Sequence, residues 1–342
     1  MNIVKFADVA HRANTKEDRF ATDKIYYVGG EHIETNELVV HHKGIIKGST
    51  IGPMFYCGFK SGQILFVTRN PHLRKCSIAY FDGICSEKTF VIESTDKRSL
   101  LQEYLALVMQ SNDFWDYCEE NKSGGVNYFV NWSTLAEYEF ELPPLAEQKK
   151  LVEKVLSAYR LKESYKHLLT ATQEMVKSRF IEMFGNCTKT KSLCSICRPK
   201  QWPTIPTKNF TNEGYLVYGA NGIIGHYTEY NHENPTILMA CRGASCGAIN
   251  ISEPKSYITG NAMCLDSLIG DVKLEYLAYF LSQYDYKLII TGGAQPQITC
   301  TNLQKIEVPI PSEILQNCFV ALVKQSDKSV LVKQIKNTTT IK

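Results

Sequence analysis

The chain has 342 residues, of which 44% are hydrophobic, 11% aromatic and 21% charged. At roughly 150 residues per domain this length predicts about two domains, and the composition excludes disordered, collagen-like and purely coiled-coil proteins. No run of 18 uncharged apolar residues is present and residues 1–10 lack an apolar segment with a cleavage site, so we expect no membrane span and a cytoplasmic protein.

The net charge of +3 is unevenly distributed. Residues 1–142 carry 15 Lys and Arg against 19 Asp and Glu, residues 143–184 carry 8 against 5, and residues 185–342 carry 15 against 11. Because no segment is strongly basic, DNA binding would require local basic patches or the charge of a partner.

Twelve cysteines at irregular spacing indicate reduced thiols, because a chain with this much apolar sequence does not need disulfides to fold. The single C-x-x-C motif, Cys194 and Cys197, has no second cysteine pair and no histidine pair at finger spacing, so it is only a weak zinc signal. The adjacent His41 and His42 would point to opposite faces of a strand and form a poor chelate.

A long helix is the clearest predicted element. Pro143 and Pro144 introduce about forty residues without Pro or Gly, and Gly185 follows them. Apolar residues recur there at spacings of three and four, which is typical of a helix with one packed face. On either side, short apolar runs such as Gln63–Val67 and Pro235–Met239 predict strands between glycine-rich turns.

The chain contains an internal repeat. Tyr104-Leu105-Ala106 recurs 172 positions later as Tyr276-Leu277-Ala278, and an alternating strand pattern recurs at an offset of 168. Each copy has a strand-rich body, a helix followed by a glycine pair, a strand, a proline exit and a helix. The final helix, over about Ile314–Lys336, is shorter than the central one. Either partner subunits cover the remainder of the central helix or the chain is a shortened variant.

No catalytic motif is evident. The sequence lacks a Walker A loop, an Asn/Asp-Pro-Pro-aromatic tetrad, a G-x-S-x-G elbow and an H-E-x-x-H pair. Two kinds of function stay open at this point: an enzyme, acting on DNA, with an unrecognised site, and a scaffold of two modules that binds other proteins.

Several segments in this order resemble the DNA-specificity subunit of type I restriction–modification systems. In the first half they are Gly62–Phe66, Arg69–Lys75, Phe81–Ser86 and Lys122–Pro144. In the second half they are Tyr218–Gly225, Arg242–Gly243 and Gln295–Ile298, and Pro143–Lys149 resembles the start of the family's spacer helix.

The resemblance implies a mixed α/β fold with two target-recognition domains joined by long antiparallel helices. We expect a first recognition domain over 1–142, a central spacer helix over 143–185, a second recognition domain over 186–312 and a short terminal spacer helix over 313–342.

It also implies a non-catalytic protein that reads a bipartite, asymmetric site in double-stranded DNA. The expected protein partners are two modification (methyltransferase) subunits and the restriction subunits. No cofactor is expected in this chain, whereas S-adenosylmethionine and ATP with Mg²⁺ are expected on the partners.

Arg69, Arg74 and Lys75 form a basic cluster at a predicted strand-to-loop connection in the first half. Arginine can pair bidentately with guanine, and either cation can hold a phosphate. The alternative is an exposed basic loop with no special role.

In the second half, Tyr218, Asn221 and Arg242 lie in glycine-rich segments that allow close approach of the backbone to DNA. Gln295 and Gln297, on either side of Pro296, are candidates for reading adenine edges. The alternative for all five is ordinary turn formation and, for the tyrosine, core packing.

Overall fold

The computed structural model describes residues 2–13, 15–291 and 296–339, with side chains described as far as residue 326. Its contacts divide the chain into two compact units, residues 1–163 and 164–342. Each unit is a mixed α/β body, and the boundary between them falls inside one continuous helix.

The first unit contains eleven short strands and four short helices in its described residues. The strands are β1 (Ile3–Lys5), β2 (Ala10–Arg12), β3 (Thr15–Lys16), β4 (Tyr26–Val28), β5 (Gly44–Ile45), β6 (Phe55–Phe59), β7 (Ile64–Val67), β8 (Cys76–Ile78), β9 (Gly83–Ser86), β10 (Thr89–Ser94) and β11 (Glu139–Glu141). The helices are α1 (Phe6–Val9), α2 (Gln102–Met109), α3 (Asn112–Glu120) and α4 (Trp132–Ala136), with a 3₁₀ turn at Pro71–Leu73.

The predicted long helix is α5 (Leu145–Phe184), a single helix of 40 residues. At about 1.5 Å per residue it is roughly 60 Å long. Glu147 lies in its first turn, where a carboxylate complements the helix dipole. The helix ends before Gly185, whose N–H donates to the Ile181 carbonyl oxygen at 2.7 Å and where a Cβ would approach that oxygen to 2.6 Å.

The second unit repeats the plan of the first. Its strands are β12 (Thr190–Ser192), β13 (Arg198–Lys200), β14 (Tyr215–Gly219), β15 (Gly222–Tyr227), β16 (Ile237–Ala240), β17 (Ile249–Ile251), β18 (Tyr257–Ile258), β19 (Ala262–Asp266) and β20 (Glu307–Pro309). Its helices are α6 (Leu193–Ile196), α7 (Leu274–Gln283), α8 (Cys300–Leu303) and α9 (Glu313–Thr339), with 3₁₀ turns at Thr207–Asn209 and Tyr286–Leu288.

Sheet topology shows the duplication directly. A two-stranded antiparallel sheet, β1–β11 in the first unit and β12–β20 in the second, closes each copy. A four-stranded sheet has the order β2-β10-β7-β8 in one copy and β13-β19-β16-β17 in the other. The central strands β7 and β16 are buried at every residue, which explains why they are continuous apolar runs in the sequence.

In each copy, a buried glutamine near the start of the long helix bonds to the backbone of the preceding α/β body. Gln148 on α5 is fully buried; it accepts from the Leu101 N–H at 2.9 Å and donates to the carbonyls of Ser99 and Pro143, each at 2.8 Å. Gln316 on α9, 168 positions later, is equally buried and makes the corresponding bonds. It accepts from the Lys273 N–H and donates to the carbonyls of Asp271 and Pro311.

Within the second unit, α9 packs against the carboxyl-terminal half of α5. The Phe319 ring lies 5.2 Å from that of Phe180 and 5.5 Å from that of Phe184. Further along both helices, Val176 and Val323 line the same cavity. Because positions decrease along α5 as they increase along α9, the two helices are antiparallel, as the family resemblance implies.

Candidate nucleic-acid interface

In the first unit, a glycine-containing loop lies against the residues that directly follow strand β7. We call residues 123–129 the first glycine loop. Its ends bond to each other, from the Ser123 N–H to the Phe129 carbonyl at 2.8 Å and from the Phe129 N–H to the Ser123 carbonyl at 2.9 Å. The Asn70 N–H donates to the Tyr128 carbonyl at 2.9 Å, and Arg69 forms an antiparallel bridge with Phe129.

The second unit builds the same arrangement. We call residues 291–297 the second glycine loop, of which 292–295 lie outside the described residues. Thr291 and Gln297 exchange backbone hydrogen bonds at 2.9 and 2.8 Å, the Gly243 N–H donates to the Pro296 carbonyl at 3.0 Å, and Arg242 bridges to Gln297. Arg69 and Arg242 therefore occupy equivalent positions in the two copies.

Arg69 is only lightly held. Its guanidinium lies 5.1 Å from the Phe129 ring centroid, and Nη1 donates to the Asn127 carbonyl at 3.3 Å. Arg242 is exposed. Neither arginine has a carboxylate within ion-pair distance in the part of the chain that the structure describes, so both guanidinium groups keep donors for an external acceptor.

The other two members of the predicted basic cluster are engaged elsewhere. Arg74 is in the left-handed region at φ 47°, donates to Asn112 Oδ1 at 2.8 Å and lies 3.6 Å from an Asp116 carboxylate oxygen. The Lys75 ammonium donates to the Gly30 carbonyl at 2.5 Å. Both side chains are therefore engaged by groups of the first unit.

The glycine-rich segment around Tyr218 is the hairpin of β14 and β15. Tyr218 is a core residue, and its hydroxyl accepts from the Glu253 N–H at 3.2 Å. Asn221 lies exposed at the turn. Ile223 and Ile224 beside it are 56% and 46% exposed, so the hairpin tip presents one amide and two apolar side chains to solvent.

The two glutamine candidates differ in status. Gln297 is half-buried, and its backbone is fixed by the pair of hydrogen bonds to Thr291. Gln295 lies outside the described residues.

A polar cluster that the sequence did not reveal connects the α/β body of the first unit to α5. The Lys162 ammonium lies 3.0 Å from Glu37 Oε2, and His41 Nε2 lies 2.7 Å from the Tyr159 hydroxyl. Burial acts to raise the pKa of Glu37, but hydrogen bonds from Tyr159 and Lys162 outweigh it and hold the pKa below its usual value. Burial and the Glu37 carboxylate raise the pKa of Tyr159.

The groups of residues that could hold a metal ion do not include the cysteines of the C-x-x-C motif, within the part of the chain that the structure describes. All twelve cysteines are free, and the Cys194 and Cys197 thiols face the carbonyl oxygens of Cys300 and Leu193 respectively. Among the described residues, two groups of three potential ligands come together: Glu37, His41 and Glu163 in the first unit, and His232, Cys264 and Asp266 in the second.

The fold defines a class of protein with two related α/β recognition bodies, each followed by a helix. The model of the type I restriction modification DNA specificity domain matches residues 4–168 and again 187–340. The chain belongs to this family. Within the described residues, no helix combines the length and the hydropathy that crossing a membrane requires.

Two curated relatives are specificity subunits from Escherichia coli. The chain is 34% identical over 97 residues to the type I restriction enzyme EcoDI specificity subunit and 24% identical over 144 residues to the EcoprrI specificity subunit. These matches cover 28% and 41% of this chain, but only 21% and 36% of those proteins.

Solved structures show the same fold over nearly the full length. The type I restriction–modification S subunit from M. genitalium matches with a TM-score of 0.69 at 16% identity, covering 99% of this chain and 93% of that one. A chain from a structural study of type I R-M system assembly and conformational transition matches with a TM-score of 0.52 at 18% identity, with the same coverage. The predicted mixed α/β architecture is thereby confirmed.

Proposed function

We propose that this chain is the DNA-reading specificity subunit of a type I restriction–modification complex and recognises a bipartite, asymmetric site in double-stranded DNA. The observation that carries the proposal is the duplicated glycine loop, which sets Arg69 and Arg242 at equivalent positions in two matches to one DNA specificity family. Two different bodies on one chain suit two different half-sites.

The side chains available for reading are fewer than the sequence indicated. Arg69 and Arg242 can pair bidentately with guanine or hold a phosphate. Asn221 at the exposed hairpin tip and Gln297 beside Arg242 have the amide groups that suit adenine. We assign structural roles to Tyr218, Arg74 and Lys75, because Tyr218 is buried and the other two are bonded within their unit at shorter distances than Arg69, 2.8 and 2.5 Å against 3.3 Å.

The proposal includes protein partners that supply the chemistry. Two modification subunits would bring S-adenosylmethionine to the adenines, and restriction subunits would bring ATP and Mg²⁺. Docking on α5 is supported by exposed apolar side chains at a spacing of seven residues, which lie on one face: Leu161, Leu168 and Met175 are 57%, 56% and 46% exposed. Exposed apolar residues repeated along one helix are typical of a partner-binding surface.

The test compares the purified chain with the assembled complex. With S-adenosylmethionine and a DNA library, the chain together with its modification subunits should methylate adenines at one bipartite site, whereas the chain alone should neither methylate nor cleave DNA. Methyl transfer or cleavage by the chain alone would favour the enzymatic alternative. A complex that assembles without binding DNA would favour the scaffold alternative.

A further inference from the structure

A compact set of nitrogen, sulfur and oxygen donors lies in the second unit, on β19 and in the segment between β15 and β16. His232, Cys264 and Asp266 each place one ligand atom within 4.8 Å of the other two. Cys264 and Asp266 are two positions apart on β19, so their side chains leave the same face of the strand. Cys264 is fully buried, and the side chains of His232 and Asp266 are 10% and 16% exposed.

The tautomer of His232 follows from its neighbours. The Asn231 amide is oriented by Ile258, since its Nδ2 donates to the Ile258 carbonyl at 3.0 Å and its Oδ1 accepts from the Ile258 N–H at 2.8 Å. That same Oδ1 lies 2.7 Å from His232 Nδ1, which must therefore carry a proton. The other ring nitrogen, Nε2, is directed at Asp266 Oδ1 at 3.0 Å.

This geometry requires a cation between the ring and the carboxylate. A neutral imidazole protonated at Nδ1 would direct the lone pair of Nε2 at a carboxylate oxygen, which is repulsive at 3.0 Å. The cation is either a proton on Nε2 or a metal ion. Cys264 places its sulfur within 4.8 Å of a ligand atom of His232 and of Asp266, and this third donor favours the metal ion because zinc binds nitrogen, sulfur and oxygen together.

We propose that His232 Nε2, Cys264 Sγ and Asp266 Oδ1 form a binding site for one Zn²⁺ ion. Nitrogen, thiolate sulfur and carboxylate oxygen are the donors that zinc binds. A thiolate and a carboxylate neutralise the two positive charges of the ion in this largely buried place. Binding breaks the S–H bond of Cys264 and releases its proton to solvent.

Hydrogen bonds to neighbouring residues already orient the His232 ring and the Asp266 carboxylate. The Nδ1–H of His232 donates to Asn231, and the second carboxylate oxygen of Asp266 accepts from Trp202 Nε1 at 2.9 Å. Such outer hydrogen bonds fix the ring and the carboxylate so that the remaining atoms face the metal. A cavity of about 470 Å³, bordered by Trp202, His232 and Asp266, gives access from solvent and room for a water as fourth ligand.

Among the described residues of the first unit, the equivalent strand positions do not form such a site. Strands β7 and β10 of the first unit correspond to β16 and β19 of the second, and both pairs have the same register. Superposing the two registers puts Val91 at the position of Cys264 and Glu93 at the position of Asp266. Valine offers no ligand, and Glu93 instead accepts from Gln63 Nε2 at 2.9 Å. We therefore expect one thiolate-containing site per chain, because the position equivalent to Cys264 is a valine.

Cobalt(II) is a visible probe for this site. Titrating Co²⁺ into the chelator-treated full chain should give a thiolate-to-cobalt charge-transfer band that saturates at one equivalent, and Zn²⁺ should displace it. Cys264→Ser should abolish the band, and Asp266→Asn should weaken Co²⁺ binding roughly tenfold or more. Cys318→Ser, a change at an exposed cysteine on α9, is the control and should leave the titration unchanged.

The same titration can overturn the proposal. If the wild-type chain gives no saturable band, the cation at His232 is a proton and the cluster is an ion pair only. A band that persists in a folded Cys264→Ser chain would place the metal elsewhere. Asp266→Asn removes one ligand but keeps the thiol, so it tests the site independently of Cys264→Ser. Circular dichroism of each variant establishes that the variant is folded.

Discussion

Arg69 and Arg242 are the residues on which the DNA-reading proposal depends most directly. Each guanidinium keeps free donors beside a glycine loop. Changing either to alanine should weaken specific binding by roughly 1–3 kcal/mol if the side chain contacts a base, or lower the salt slope by about one if it contacts a phosphate. DNA titrations of the assembled complex at several salt concentrations measure both effects.

Arg98 provides the matched control for this experiment. Its side chain is 93% exposed and pairs within its own turn with Asp96. Arg98→Ala should leave affinity and salt slope unchanged. Unchanged binding in both the Arg69 and the Arg242 variant would show that these two residues do not contact DNA.

Glu37 makes the stability of the first unit depend on pH. Its folded-state pKa lies below 4.5, so its contribution is fully present above about pH 4.5 and is lost as the pH falls through the folded-state pKa. Glu37→Gln should lower the free energy of unfolding by roughly 1–3 kcal/mol near neutral pH. The difference from wild type should shrink on acidification, as measured by denaturant titrations.

The exposed strand residue Glu139 is the control for Glu37, and Glu139→Gln should show neither effect. A Glu37→Gln difference that stays constant from neutral to acid pH would contradict the assignment, because it would mean that the carboxylate charge is not what stabilises the cluster with Tyr159 and Lys162.

At the scale of elements, the first glycine loop offers two adjacent glycines with different requirements. Gly124 has φ +98°, and a Cβ there would lie 2.9 Å from the Asn127 carbonyl oxygen, whereas a Cβ at Gly125 would meet nothing within 4 Å. Gly124→Ala should distort the loop and reduce DNA affinity of the complex, while Gly125→Ala should not. Equal affinities of the two variants would exclude the loop from the DNA interface.

The duplicated glutamines should be equally important for stability. Gln148→Leu and Gln316→Leu each leave one backbone N–H and two carbonyl oxygens without their partner. A fully buried group left without a partner costs about 1–3 kcal/mol and a half-buried one costs less, so both variants should unfold at lower denaturant concentration. Gln173→Leu, at an exposed position of α5, is the control. A wild-type midpoint for either variant would refute the role of the network.

Much of the element plan could be predicted from the sequence because it depends on local pattern. The periodicity from Leu145 to Phe184 and the buried run Ile64–Val67 both identified their elements. Pattern does not determine where a side chain points. The Arg74 side chain bonds to Asn112 on α3, which the sequence pattern does not indicate, and Tyr218 packs in the core, which was one of its two sequence-based alternatives.

The equivalence of Arg69 and Arg242 was also beyond the sequence. The two arginines are 173 positions apart, whereas the glycine loops that bridge to them repeat at 168. Connections of different length in the two copies change the number of positions between equivalent residues. The equivalence of the two arginines is therefore seen only when strands β7 and β16 are aligned by their pairing. The metal cluster was missed for a similar reason, since His232 is distant in sequence from Cys264 and Asp266.

At the scale of the whole molecule, α5 is the feature that connects the two family matches. It continues without interruption from Leu145 to Phe184. We propose that its length sets the gap between the two half-sites. A helix segment lengthened by four residues grows by roughly 6 Å while approximately keeping its packed face.

The most direct measurement is therefore to map methylated adenines for the wild-type complex and for a complex whose chain carries four extra helical residues after Lys162. Because 6 Å is about two base pairs at 3.4 Å per step, the account predicts the same two half-sites with a gap about two base pairs longer. Unaltered half-sites at an unaltered gap, in a complex that still assembles and methylates, would contradict it.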